Sequence, residues 1–175
     1  MPTNPSVAVV DEDEARRLDA LAQYAVVETF DEPEYDELVE MLADLLRVPA
    51  ATIAVLDASQ EWFKARVGTD VRQIPREESF ARHILTAPDA VLAVPDMAAD
   101  PRFATSPFVA GYPGFRAYLG APVVSLDGTF LGAIEALDLE PRVWTDREIK
   151  HARTLAQVLE THLEFRRFTR AAARG

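Results

Sequence analysis

The chain has no cysteine. That excludes disulfides, thiolate metal sites, a cysteine nucleophile and a thioether-linked chromophore. Positive charge is scarce: 18 Lys and Arg stand against 29 Asp and Glu, for a net charge of −11. Nucleic-acid surfaces need a positive footprint, and anionic membrane attracts basic patches, so neither partner is expected. No apolar run approaches the roughly 20 residues of a membrane span. The opening MPTNPSVAVV lacks the basic segment and long apolar core of a signal peptide. A cytoplasmic protein is the expectation. His83, His151 and His162 show no metal-ligand spacing, so no metal site is expected. No internal repeat is visible, and no nucleophile–base pair stands out that would make an enzyme.

What is present suits one domain. The 175 residues are 49% apolar and 27% charged, the balance of a globular protein with a substantial core. Residues 1–10 carry two prolines and few anchors and read as a flexible arm, 11–169 as the domain, and 170–175 as a tail. From Asp11 the pattern is helical, with Ala15, Leu18, Leu21 and Ala22 as one stripe. Asp31 and Glu34 resemble a capping box, with Phe30 and Tyr35 as its hydrophobic staple. A second helix then runs to about Arg47. AATIAVLDA (50–58) and EWFKARVG (61–68) read as a strand hairpin. In the second strand Trp62, Lys64 and Arg66 face one way, and Phe63, Ala65 and Val67 the other. Gly68 to Arg76 reads as a loop. Ser79 precedes a short helix at 80–87, and residues 90–94 form a short strand. Residues 115–124 and 129–137 form a second hairpin around the Asp127-Gly128 turn. Thr145 and Glu148 form a capping box that opens the longest helix.

VPDMAADPRFATSPFV (94–109) lies between the hairpins. It has too many prolines for a central strand and too little periodicity for a helix. A long connection carrying Phe103, Phe108 and Val109 predicts a lid or wall that folds over something.

The motifs taken together resemble the GAF domain family. They are WFK (62–64), SF..H (79–83), V.D...DPRF (94–103), Y.GAP (118–122), DG..LG (127–132) and D..PR.WT (138–145). The resemblance covers roughly Ala15 to Phe165, and its nearest branch is the GAF domains of bacterial signalling proteins. It implies an α+β fold with a central antiparallel sheet of five or six strands. N- and C-terminal helices would cover one face, and a lid with short helices would enclose a pocket on the other. It also implies a parallel dimer through the terminal helices. Many relatives carry Cys after Ser-Phe and on the strand after DG..LG. Here these residues are Ala81 and Glu135, so covalent bilin attachment and cysteine-based methionine sulfoxide reduction are excluded. The cyclic-nucleotide signature of the family is not evident.

The expected function is a non-enzymatic sensory or regulatory module for signal transduction. It would bind an unknown small molecule non-covalently and report through its terminal helices to an unknown signalling partner, or within a larger chain. The alternative is a protein-interaction module with a vestigial, self-filled pocket. Candidate ligand-binding residues are Phe63, Phe80, His83, Asp96, Arg102, Phe103, Tyr118 and Glu135. Asp96, Asp100 and Arg102 equally suit the pinning of a loop, and His83 a structural role. Glu135 on an otherwise apolar strand suits a ligand contact, a partner such as Arg116 or Lys64, or projection past a strand edge. A homodimer is expected through Leu18, Leu155, Leu159 and Leu163, since the apolar stripes are more than one sheet face needs, extending to Phe168.

Overall fold

The computed structural model describes residues 5–27 and 32–173, with side chains from residue 12 onward. The element order is α1 (Pro5–Tyr24), α2 (Pro33–Leu46), β1 (Ala50–Leu56), β2 (Gln60–Val67), β3 (Gln73–Pro75), β4 (Leu92–Val94), α3 (Pro107–Ala110), β5 (Ala117–Val124), β6 (Phe130–Asp138) and α4 (Asp146–Ala173). Three single 3-10 turns, at Arg76–Glu78, Ala81–Ile84 and Met97–Ala99, punctuate the connections. The six strands form one antiparallel sheet in the order β3-β2-β1-β6-β5-β4. This is the expected α+β plan. The chain's two hairpins, β1–β2 and β5–β6, meet where β1 pairs with β6.

The central strands are covered on both faces, so they read as apolar runs instead of alternating ones. Ala51, Ile53, Val55, Leu119, Ile134 and Ala136 face the helices and share a core with Leu42, Leu46, Leu155 and Leu159. Phe80, Met97, Phe103, Val109 and Tyr118 form a second core under the 94–115 segment. That segment is therefore a packed wall, anchored by its own apolar residues. The Thr145–Glu148 box is present: Glu148 N–H donates to Thr145 Oγ1 at 3.2 Å, and Thr145 N–H donates to the Glu148 carboxylate at 2.7 Å. Gly128 holds φ +82 in the β5–β6 turn, a conformation that favours glycine.

Several expectations change. α1 starts at Pro5 and not at Asp11, so 5–10 is helical; proline is compatible with a first helical position, where its missing N–H has no partner to lose. The buried face of α1 is rotated from the predicted stripe: Ala15 and Ala22 are exposed, whereas Arg17 is buried. The Asp31 box and Phe30 staple lie outside the described residues. β3 occupies what read as a loop. It is three residues long and ends in proline, so it carries almost no sequence signal. Leu155, Leu159 and Leu163 are buried against the domain's own sheet and helices, so they are not available as a dimer surface. Leu18 is half-buried. On α4 the exposed apolar residues are Val158, Phe165 and Phe168.

Arg17 shows how α1 is held. Its guanidinium pairs through two nitrogens with Glu14 and donates to the carbonyls of Leu56 at 2.8 Å and Phe130 at 3.4 Å. Glu14 also pairs with Arg76. Hydrogen bonding from Arg17, then from Arg76, outweighs desolvation and lowers the Glu14 pKa from 4.5 to about 2. Stability from this network is thus fully present above about pH 4.5 and is lost as pH falls through about 2. Arg17→Met is expected to lower stability by about 1–3 kcal/mol in urea unfolding near neutral pH. An unchanged midpoint would contradict the pinning role.

Candidate functional site

The sheet face opposite the long helices carries a row of side-chain positions set by register. Arg66 on β2 lies opposite Thr52 on β1, Thr52 opposite Glu135 on β6, and Glu135 opposite Gly120 on β5. Glu135 is only 2% exposed. Its carboxylate accepts from the Tyr118 hydroxyl at 2.6 Å and from Thr52 Oγ1 at 2.7 Å. Gly120 makes room for this arrangement. A Cβ there would sit 2.3 Å from the Tyr118 hydroxyl oxygen and 2.8 Å from Ile84 Cδ1.

A second carboxyl joins it. Glu61 on β2 is 1% exposed, and neither of its carboxyl oxygens has a hydrogen-bond partner. Burial, then the neighbouring Glu135 charge, pushes the Glu61 pKa well above the usual carboxylate range. Burial raises Glu135 as well, opposed by hydrogen bonds from Tyr118 and Thr52. Tyr118 is pushed up by burial and by the Glu135 charge. Two carboxyls in a dry site cannot both ionise cheaply, so the pair retains a proton at pH values where a solvated carboxylate has lost it.

A β-bulge brings these groups together. Ile53 pairs with Ala65 while Ala54 pairs with Phe63, which leaves Lys64 as the extra residue on β2. Simple alternation would put Phe63 and Arg66 on opposite faces, as the sequence predicts. The bulge puts Glu61, Phe63 and Arg66 along one cavity. This cavity has a volume of about 700 Å³, within the range of small-molecule sites. Its floor is Thr52, Glu61, Arg66 and Glu135, and its walls include Phe63, Phe80, Phe108 and Phe115. Residues 67–71 and Tyr112 contribute to the rim, where Tyr112 is largely exposed.

Of the sequence candidates, Phe63, Phe80 and Glu135 line the cavity. Tyr118 supports Glu135 from behind, and Phe103 is buried, with Phe80 edge-on to both rings at 5.6 Å. His83, Asp96 and Arg102 are not among the lining residues. Asp96 pairs with Arg116 through two hydrogen bonds of 2.9 and 2.7 Å and caps the 3-10 turn at Ala98. This also removes Arg116 as the partner of Glu135. Arg102 is bonded to Asp100 and lies over the Phe103 ring. His83 packs edge-on against Phe103 at 4.9 Å, and burial, then the charges of Arg82 and Arg102, lower its pKa. The loop-pinning reading accounts for these contacts. Sequence reasoning missed Glu61, Arg66 and Thr52: the bulge that turns Arg66 onto the face of Phe63 leaves no mark in hydrophobic periodicity, whereas Glu61 shares that face by simple alternation. Among the described residues no cluster of His, Asp and Glu could hold a metal, and no helix is long and apolar enough to cross a membrane.

The family model described as GAF domain matches residues 32–163. A cyclic di-GMP phosphodiesterase of Pseudomonas aeruginosa is 35% identical over 131 residues, which is 75% of this chain and 22% of that protein. The chain thus spans about a fifth of that relative's length. The GAF domain of a phosphoenolpyruvate-protein phosphotransferase from Coxiella burnetii superimposes with a TM-score of 0.68 at 18% identity, covering 91% of this chain and 98% of that one. Free methionine-R-sulfoxide reductase from Neisseria meningitidis gives 0.65 at 16% identity, covering 97% and 96%. At these identities the two structures establish a shared fold.

Two variants test the carboxyl site. A raised folded pKa means that the unfolded chain releases its proton first, so the pair's contribution is fully present below about pH 4.5 and declines as pH rises. Glu61→Gln is therefore expected to be more stable than the parent by about 1–3 kcal/mol near pH 8, converging toward about pH 4. An advantage that grows toward acid pH would contradict the shared-proton arrangement. Gly120→Ala is expected to lose about 1–3 kcal/mol in urea unfolding as the Tyr118 hydroxyl is displaced. An unchanged midpoint would mean that the close approach is relieved without loss.

Proposed function

The chain belongs to the GAF domain family, a family of sensory and regulatory modules, and from that premise we propose that it is a non-enzymatic sensor of a small molecule. The observation that carries the reading is the cavity itself. It is roomy, walled by aromatic residues, and floored by a carboxyl with no partner. Burial of such a group is unfavourable until something supplies a hydrogen bond or charge. An open volume of about 700 Å³ also favours a sensor over an interaction module whose pocket is filled by its own side chains.

Transmission would run through β5 and β6 to α4. Tyr118 and Glu135 face the cavity side, while Leu119 and Ile134 on the same strands share a core with Leu155 and Leu159 of α4. The same helix grips the far end of the hairpin. Val124 N–H donates to the Glu160 carboxylate at 2.9 Å, and Leu126 N–H to Glu164 at 3.0 Å. A ligand shifts such a system only to the extent that it binds the two arrangements unequally. The phosphodiesterase relative matches over a fifth of its length, which fits a regulatory segment beside a separate catalytic one. The output of this chain would then be a partner protein or another part of a longer chain. A homodimer is part of the proposal, formed through the exposed α4 residues Val158, Phe165 and Phe168.

Native mass spectrometry of freshly purified protein, beside a denatured sample, tests the sensor. The expected result is additional mass that disappears on denaturation, or a ligand-dependent rise in melting temperature across a metabolite panel. A clean apo mass together with no thermal shift from any compound would contradict it. For the dimer, Val158→Glu with Phe165→Glu is expected to convert a dimeric species to monomer in sedimentation velocity. A parent that is already monomeric would remove the dimer from the proposal.

A further inference from the structure

A carboxyl and a guanidinium nitrogen in this cavity lack hydrogen-bond partners. Neither carboxyl oxygen of Glu61 has one, and the Arg66 Nε is buried without one. Both residues line the same cavity. They lie on one strand, and the bulge at Lys64 sets them on one face. Glu61 stands beside Glu135, whose own hydrogen bonds come from Tyr118 and Thr52. Arg66 is two strand positions away from Glu135 across Thr52, roughly 10 Å between backbones. The cavity floor therefore has a carboxyl pole and a guanidinium pole, with a hydroxyl-bearing strand between them.

A ligand bearing a single charge serves only one pole. A cation satisfies the carboxyls and leaves Arg66 unpartnered; an anion does the reverse. An unpaired polar group that a ligand further dehydrates costs free energy. A zwitterion answers both poles and brings no net charge into the cavity. The aromatic walls, Phe63, Phe80 and Phe115, favour an apolar body.

We infer that the cavity takes a small zwitterion with an apolar body, amino-acid-like in its chemistry. Its ammonium lies against Glu61 and Glu135, its carboxylate against the Arg66 guanidinium, and its apolar part against the phenylalanine wall. This assignment rests on the small-molecule reading above and specifies the class of ligand.

Isothermal titration calorimetry with the intact chain tests it, using L-phenylalanine, L-leucine, and three analogues of the former that lack one or both charges: phenethylamine, phenylpropanoate and phenethyl alcohol. At least one amino acid is expected to bind about tenfold or more tightly than phenethylamine and phenylpropanoate. Glu61→Gln should weaken the amino acid and the amine by about tenfold while leaving phenylpropanoate unchanged. Arg66→Met should weaken the amino acid and phenylpropanoate while leaving the amine unchanged, and Arg66→Lys should restore part of the loss. Circular dichroism confirms that each variant is folded. An amine, acid or alcohol that binds as tightly as the amino acids overturns the zwitterion and leaves the small-molecule reading intact. So does a retained compound of another class in native mass spectrometry. Failure of both amino acids to bind overturns the inference. Failure of all five probes, with a clean apo mass, removes the small-molecule reading as well.

Discussion

Burying Glu135 on a middle strand takes a carboxyl out of water, and that fact constrains everything on this face of the sheet. The group needs donors, and it has two, Tyr118 and Thr52, each on a strand beside its own. The Tyr118 donor exists only because Gly120 leaves space for its hydroxyl. The Thr52 donor exists because β1 and β6 pair in a register that sets it opposite Glu135. Glu61 makes no hydrogen bond of ordinary geometry, although the Ser79 hydroxyl is close enough to oppose its raised pKa, and it shares the site as a second carboxyl. The pair holds a proton because the alternative, two adjacent charges in a dry site, is worse. A polar arrangement this buried also specifies the register of the central hairpins, since a one-residue slip would strand both carboxyls on the helix side.

The opposite face supplies the rigidity that makes such a site possible. Leu42, Leu46, Leu155 and Leu159 pack two helices against the backs of the same strands. Polar contacts then tie the helices to the sheet's ends and to each other. Arg17 binds carbonyls of Leu56 and Phe130, Glu164 receives the Tyr24 hydroxyl at 2.6 Å, and Glu160 receives the Val124 amide. A change in spacing between β5 and β6 on the cavity side therefore has a direct mechanical route to α4. This is the physical content of the proposed signalling role, and it needs no catalytic group.

Much of this was legible in the chain. The motifs around Trp62, Tyr118, Asp127 and Trp144 pointed to the fold, and Glu135 stood out as a charge where the pattern required an apolar residue. What escaped depended on events that periodicity does not record. The bulge at Lys64 reverses the alternation of β2 beyond Phe63, so Arg66 reads as sharing a face with Trp62 and Lys64 and not with Phe63. Arg17 sits in a run of charges, DEDEARRLD, in which nothing marks one arginine as buried. The leucines of α4 have helical spacing, but spacing alone does not say whether a sheet or a second copy covers them. Here the sheet does. The lid charges Asp96 and Arg102 are spent on Arg116 and Asp100, the ordinary use of Asp in a proline-rich turn.

The central claim is that Glu61 and Glu135 form a buried carboxyl pair that keeps a proton beneath an open cavity. Carbon-13 NMR titration of glutamate side-chain carboxyls, assigned with single Glu-to-Gln variants, measures this directly. The Glu61 resonance is expected to titrate well above the ordinary 4.5 of a solvated glutamate, and the two resonances to respond to each other's ionisation. Two independent carboxyls that both titrate near 4.5 would contradict it.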